Sequence, residues 1–143
     1  MMSFDLKIVN NDLRINVDGS LQTVRNNDKL FQDIIKIILT PLGSNKFFKW
    51  YGSTLTARVV GQGLDNTLMQ IEIQRSVEDA LFNLISLQKS QSFTQYVSPG
   101  ETLASISEIS VVRNESDPRQ YEIYVSVLTR KLTIVETTFT LGV

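Results

Sequence analysis

The sequence predicts an α+β fold with an N-terminal β-hairpin, two main helices and a C-terminal antiparallel meander that forms one sheet packed on the helices. Apolar and polar residues alternate near the start of the chain and again in its last third, which is the period of half-buried strands. Between these regions, apolar residues recur at three- and four-residue spacing, as on the buried face of a helix. Strands and helices are thus segregated along the chain, which favours α+β over α/β. The 143 residues, 42% of them hydrophobic, suit a single domain over residues 1–143.

The N-terminal hairpin is predicted from an alternating stretch followed by a turn signal. Leu13 to Val17 alternate apolar and polar residues, and Asp18-Gly19 is a common hairpin turn. Leu21 to Val24 would return antiparallel to the first strand. Residues 1–9 are expected to form a mobile N-terminal arm, because chain ends are poorly ordered unless they are tied down.

The first helix is predicted to follow this hairpin directly. Asn26 or Asn27 suits its N-cap, and the helix should end at Thr40 because Pro41 disfavours helical geometry at the residue before it. Its apolar face would consist of Leu30, Phe31, Ile34, Ile35 and Ile38.

A loop from Pro41 to Gly52 comes next and is unusually aromatic. Gly43 and Gly52 bracket it and can adopt a positive φ. We expect Trp50 and Tyr51 to be buried anchors that hold the loop on the core, since large aromatic side chains are mostly buried. The alternative is that these two rings stack on a sugar or a base.

Two further helices are predicted before the meander. Ser53 to Val60 suits a short helix that glycines terminate. A long helix should run from about Leu68 to about Lys89, where Thr67 and Gln70 have the spacing of a capping box.

The residue pattern in the last third of the chain predicts three strands. These are Ile106 to Val112, Tyr121 to Val127 and Leu132 to Leu141, with a turn at Asn114 to Gln120 and a tight connection at Arg130-Lys131.

The composition excludes several classes of chemistry. There are no cysteines and no histidines, so thiolate metal sites, cysteine nucleophiles and the Ser-His-Asp triad are absent. Fourteen basic and fifteen acidic side chains give a net charge of −1, which argues against a general nucleic-acid binder. No apolar run approaches the roughly 20 residues of a membrane span. We therefore expect a soluble protein made in a cytoplasm, with no metal and no cofactor.

Paired carboxylates are the remaining route to catalysis. A glycosidase needs two acids about 5–9.5 Å apart in unlike environments. Glu78 and Asp79 are adjacent, but neighbours on a helix point in different directions. Glu101 has no evident partner in the sequence. A small lysozyme-like glycoside hydrolase is thus kept only as an alternative function.

The central part of the chain resembles a known family. Asn27-Asp28 begins an amphipathic helix, Ile38 to Ser44 ends it in a leucine-threonine-proline-leucine-glycine pattern, and an aromatic-glycine block follows at Trp50 to Ser53. The pattern is similar to that of the gene 25-like baseplate wedge family of contractile-tailed bacteriophages, which is related to proteins of type VI secretion baseplates and R-type pyocins. The family's second long helix and final meander match Leu68 to Lys89 and Ile106 to Leu141.

The resemblance implies a structural protein of the virion, located in the tail baseplate, and no enzymatic activity. Its implied partners are other baseplate wedge proteins, the tail sheath protein and tail tube or hub proteins, in a symmetric assembly with several copies. Many members carry a Glu-Pro-Arg triplet before the meander. Here that position reads Glu101-Thr102-Leu103, so only Glu101 is a candidate partner contact. A non-viral adaptor on the same fold is a further alternative.

The terminal strand suggests how a partner would bind. Leu132 to Leu141 carries one charged residue, Glu136, whereas exposed sheet edges are usually guarded by lysine or proline. We expect this strand to be an edge to which a sheath segment adds as a further strand. Ile134 should face the core, and the candidate partner-binding residues are Thr133, Val135, Thr137 and Phe139. The alternative is that the strand is central or covered by a helix.

Overall fold

The computed structural model describes residues 3–10 and 12–143 and shows the predicted α+β architecture. A small N-terminal strand region precedes three helices, and a three-stranded antiparallel sheet follows them. The elements are β1 (Asp5–Leu6), β2 (Ile8–Val9), β3 (Asp12–Leu13), β4 (Thr23–Val24), α1 (Asn26–Leu39), α2 (Leu55–Val59), α3 (Asn66–Gln91), β5 (Leu103–Arg113), β6 (Gln120–Thr129) and β7 (Ile134–Gly142).

The C-terminal sheet has the order β5-β6-β7, as expected for a meander. β6 pairs with β7 in one continuous register from Gln120↔Gly142 to Leu128↔Ile134. The pairing of β5 with β6 is interrupted by two register shifts, which are typical of β-bulges. The two edges of the sheet therefore differ in regularity.

The core lies between the helices and one face of this sheet. α3 packs against α1, α2 and β5, and α1 also contacts β7. Alternate residues of β6 face these helices, which is why the period-two pattern predicted this strand well. The fully buried apolar side chains include Leu30, Ile34, Ile37, Val59, Ile73, Val77, Leu81, Ile123, Val125 and Val127.

Both predicted helix N-caps are wrong, although α1 does end at Thr40 as expected. The cap of α3 is Asp65, whose carboxylate accepts a hydrogen bond from the Leu68 N–H at 2.8 Å. α1 follows Arg25, and the side-chain oxygens of Asn26 and Asn27 accept hydrogen bonds from the hydroxyls of Ser98 and Thr133. Asparagine accepts from many donors, so tertiary contacts decide which one it uses.

The N-terminal strands are shorter than the alternation predicts. The turn at Asp18-Gly19 is confirmed, with Gly19 at φ +83° and the Ser20 N–H bonded to the Asp18 carboxylate. Beyond it, Ile15 and Leu21 form only an isolated bridge. β1 pairs with β4 and β2 with β3, so two short strand pairs and this bridge take the place of the single predicted hairpin.

Two side chains of α1 hold the N-terminal segment on the helix. The Gln32 amide accepts from the Ile8 N–H at 2.9 Å and donates to the Leu6 carbonyl at 2.7 Å. Lys36 forms an ion pair with Asp5. The arm expected over residues 1–9 is thus attached at residues 5–9 in this structure. Its mobility stays a prediction, and Met1 and Met2 lie outside the described residues, as does Asn11.

The Asp5–Lys36 pair predicts a pH dependence of stability. Burial opposes ionisation of Asp5, but the hydrogen bond and charge of Lys36, with the Leu6 N–H and the Gln32 amide, hold the pKa of Asp5 below its usual value. A depressed carboxyl pKa stabilises the fold above the unfolded-state pKa of about 3.9 and loses this effect as the pH falls through the folded-state value. Asp5→Asn should therefore cost about 0.5–1 kcal/mol at neutral pH, because both groups are partly exposed to solvent.

Urea unfolding of wild type and Asp5→Asn at neutral pH and near pH 2 checks this expectation. The difference should disappear in acid. Asp12→Asn is the matched control, since Asp12 is exposed and makes no ion pair within residues 3–10 and 12–143. An equal loss in both variants, or a loss that persists in acid, would contradict the assigned role of the pair.

Candidate functional site

The outer edge of β7 is the first candidate site. Within the part of the chain that the structure describes, β7 pairs only with β6, and no strand occupies its other side. The alternative in which the terminal strand is central is therefore wrong. An edge strand presents unpaired N–H and C=O groups that another chain can pair with. β7 pairs with β6 in regular register over nine residue pairs, so its free edge is regular. The strand carries one charged residue, Glu136.

The opposite edge of the sheet, formed by β5, is protected in two ways. Its register shifts twice, between Leu103 and Ser105 and between Ile106 and Glu108. Bulges twist an edge away from straight pairing, and the charged Glu108 and Arg113 further disfavour an added strand. The two edges therefore differ, and the β7 edge is the more regular and the less charged of the two.

The predicted facing of the β7 side chains is wrong. Ile134 is 63% exposed, whereas Val135 and Thr137 are buried and Phe139 is partly buried against the core. The register explains this: Val135 lies opposite Val127 and Thr137 opposite Val125, and both β6 partners face the helices. The outward row consists of Ile134, Glu136, Thr138 and Thr140.

Thr133 precedes β7, and its hydroxyl is engaged in hydrogen bonds within the fold. Its hydroxyl shares a 2.7 Å hydrogen bond with that of Thr129 and lies 3.4 Å from the Asn27 side-chain oxygen. Of the five candidate partner-binding side chains, those of Val135 and Thr137 point inward, and Thr133 closes the turn. A partner strand would therefore rely on the β7 backbone and on the outward row.

Glu101, the fifth candidate, lies inside the fold and not on its surface. The residue is 1% exposed, and one carboxylate oxygen accepts from the Ser98 hydroxyl at 3.2 Å. The other oxygen is buried without a protein partner among the described residues. Its backbone carbonyl accepts from the Gln88 amide at 2.7 Å. The expected direct contact of this side chain with a partner is thus corrected to a structural position between α3 and β5.

The aromatic loop is only partly as expected. Gly43 and Gly52 adopt φ of +83° and +121°, which confirms their predicted conformation. Tyr51 is half-buried and packs against the core. Trp50 is 45% exposed, so the burial predicted for it is wrong. Backbone hydrogen bonds at Ser53 fasten the end of the loop, and the Trp50 ring contacts Phe48 and Tyr51 edge to face.

A charged cleft of about 620 Å³ lies between α1, the N-terminal segment, Tyr51 and the end of α3. Asp33 is 2.8 Å from the Lys29 ammonium and 3.5 Å from that of Lys36, which also pairs with Asp5. This cleft brings two carboxylates together, which the sequence did not indicate. Each of them is matched by a lysine, and partial burial raises the pKa of Tyr51 beside them.

Two buried glutamines are the residues that the sequence reasoning missed. Gln88 donates to the Glu101 carbonyl and accepts from the Leu103 N–H at 2.8 Å, which joins α3 to the start of β5. Gln32 makes an equivalent pair of backbone hydrogen bonds between α1 and the N-terminal strands. Their positions on amphipathic helices carry no signal of this role, because glutamine is common on exposed helix faces.

Residues 3–10 and 12–143 contain no group of three or more acidic side chains arranged to hold a metal ion. No helix in the same ranges is both long and apolar enough to cross a bilayer.

Comparison with known proteins gives a likeness of fold. No protein-family model matches the sequence, and no curated protein is significantly similar to it. Among solved structures, the chain is similar to a crystal structure of a Geobacter sulfurreducens protein described as a "putative tail lysozyme". The two share 15% sequence identity and superpose with a TM-score of 0.61 over 81% of this chain and 89% of the other. The likeness extends over most of both chains and concerns the fold.

Proposed function

We propose that this chain is a structural component of a contractile tail baseplate that starts sheath assembly by accepting a sheath segment as an added strand on β7. The observation that carries the proposal is the regular, sparsely charged outer edge of β7, which no other strand occupies in the described residues. The fold likeness to a protein described as a "putative tail lysozyme" supports a tail setting. The sequence pattern at Ile38 to Ser44 and Trp50 to Ser53 points to the same family.

Strand addition suits the task of starting a polymer. Backbone hydrogen bonds along β7 would supply affinity for almost any extended segment, and the outward row would select its register. Each backbone hydrogen bond contributes only about 0.5–1.5 kcal/mol net, so several must form together. A symmetric baseplate with one such edge per copy would present a ring of acceptors, beside wedge and tube or hub proteins.

Lysine on the outward row tests this proposal. Thr138→Lys places a charge in the middle of the β7 edge while leaving the buried row intact, and it should reduce sheath growth on assembled baseplates by about tenfold or more. The matched control is Ser110→Lys, because Ser110, Tyr124 and Thr138 form one cross-strand row and Ser110 lies on the β5 edge. The yield of sheathed tails by electron microscopy is the measurement. Normal sheath growth on folded Thr138→Lys baseplates would refute strand addition at β7.

A glycoside hydrolase is the second candidate, because the similar structure is named a lysozyme and the charged cleft holds two carboxylates. We propose that this pair is structural. A general acid needs a raised pKa, whereas Lys36 and the other partners of Asp5 hold its pKa low. Purified protein should therefore not clear a suspension of permeabilised bacteria in a turbidity assay. Clearing that Asp33→Asn abolishes would establish the enzymatic alternative.

A further inference from the structure

We propose a second interaction surface, formed by the aromatic loop and α3, that docks a segment of a partner protein in which acidic residues flank apolar ones. We call this surface the aromatic platform. The platform includes no residue of β7. This inference can therefore be tested independently of strand addition by the sheath. Its apolar members are Leu42, Phe47, Phe48, Trp50 and Phe82.

The platform exposes five large apolar side chains to solvent. Phe47 is 89% exposed, and Phe48, Trp50, Leu42 and Phe82 are each about half exposed. Single exposed apolar residues are ordinary, but a contiguous group marks an interaction site. Phe48 and Trp50 are in edge-to-face contact at 6.0 Å between ring centres, so these two rings form one group, and Phe47 is the chain neighbour of Phe48.

The loop that carries the rings is fixed by hydrogen bonds. The Asn45 side-chain oxygen accepts from the N–H groups of Phe47 and Phe48 at 2.9 and 3.1 Å. The Tyr51 N–H bonds to the Phe48 carbonyl at 3.0 Å, and Asn83 of α3 donates to the Trp50 carbonyl at 3.5 Å. A partner would therefore meet rings that are already positioned, which lowers the entropic cost of binding.

A groove between the two ends of the loop and α3 offers a pocket for an apolar side chain. Leu42 and Phe82 both line a cleft of about 290 Å³, together with Gly52 and Ala80. Binding surfaces commonly concentrate their affinity where an anchor residue fills such a pocket.

The charges around the platform indicate the kind of partner. Lys46 and Lys49 are exposed within the loop, and neither forms an ion pair with any described residue of the chain. They are placed to meet carboxylates on the partner. Asp79 lines the groove, so the groove suits an apolar side chain of the partner, and the partner's carboxylates would lie at the lysines instead. An acidic, apolar protein segment fits both observations.

Selection from a library of short random peptides displayed on phage tests the inference with the purified full chain. Enriched peptides should combine aromatic or aliphatic residues with Asp or Glu, and synthetic copies should shift the fluorescence of Trp50, the single tryptophan of the chain. Lys46→Glu/Lys49→Glu should weaken their binding by about tenfold or more. The control Lys89→Glu/Lys131→Glu makes the same change in net charge at exposed sites elsewhere and should change binding less than about twofold.

Several results would overturn the inference. These are enrichment without acidic residues, equal weakening by the two double variants, and binding that Phe47→Ser/Phe48→Ser leaves unchanged. Tighter binding of single-stranded oligothymidylate than of the selected peptides would assign the platform to nucleic acid instead. Sheath growth on Lys46→Glu/Lys49→Glu baseplates distinguishes this surface from the β7 edge, because strand addition does not involve these lysines.

Discussion

Gly52→Ala is expected to destabilise the chain by about 3 kcal/mol or more, through strain at a backbone conformation that L-residues rarely adopt and through a steric collision. Gly52 has a φ of +121°. A Cβ atom there would lie 2.5 Å from the Thr40 carbonyl oxygen and 3.0 Å from the Leu42 nitrogen. Both atoms belong to the backbone, so neither can rotate away as a side chain would.

The surrounding hydrogen bonds prevent the backbone from relaxing around a methyl group. The Ser53 N–H bonds to the Thr40 carbonyl at 2.8 Å, and the Leu42 N–H bonds to the Ser53 carbonyl at 2.9 Å. The Ser53 hydroxyl also donates to the Ile38 carbonyl at 2.5 Å. To admit alanine, the two backbone segments would have to move apart. This would break the hydrogen bonds that join the end of α1 to the start of α2.

Gly43→Ala is the control for a positive φ without a collision. Gly43 also has a positive φ, +83°, but nothing lies within 4 Å of its ideal Cβ position. It should cost only the conformational strain, about 1–2 kcal/mol. Urea unfolding of both variants gives the comparison. Equal destabilisation of the two variants would show that the close approach at Gly52 is not what limits substitution.

Gln88→Ala is expected to cost about 2–5 kcal/mol, because it leaves two buried backbone groups without partners. The Gln88 side chain is buried, donates to the Glu101 carbonyl at 2.7 Å and accepts from the Leu103 N–H at 2.8 Å. A buried N–H and a buried C=O each lose about 1–3 kcal/mol when their partner is removed. Loss of the side-chain volume adds a cavity to this cost.

Gln74→Ala, on the exposed face of the same helix, is the matched control and should change stability by less than about 0.5 kcal/mol. Chemical denaturation of both variants measures the difference. Amide exchange adds a local readout, since the Leu103 N–H should lose protection in Gln88→Ala. A variant that is as stable as wild type would mean that water or a rearranged backbone replaces both hydrogen bonds.

The sequence predicted those parts of the fold that depend on local pattern. Pro41 determines the end of α1, Asp18-Gly19 forms the hairpin turn, and the alternation in β6 matches its buried row. Each of these signals acts over a few residues, so its effect on the local structure does not depend on tertiary contacts. The order of the main helices and of the three final strands followed from the same signals.

Features that depend on tertiary contacts could not be predicted in this way. Alternation alone places Ile134 and Val135 on opposite faces of β7 but does not say which face meets the helices, and the register with β6 decides it. The size of Trp50 suggested burial, yet the loop is fastened through Ser53 and leaves Trp50 about half exposed. Glu101 looked like a surface acid in the sequence, but it is buried, with hydrogen bonds to Ser98 and to Gln88 of α3.

Hydrogen exchange on the β7 edge, in the presence and absence of the cognate tail sheath protein, tests the proposed function most directly. In the free chain, the amides of β7 that face away from β6 should exchange readily, because no described strand protects them. Sheath protein should slow exchange in Ile134–Gly142 and leave Leu103–Arg113, the opposite edge, unchanged. Sheath binding that protects other segments while exchange in β7 stays the same would contradict strand addition at this edge.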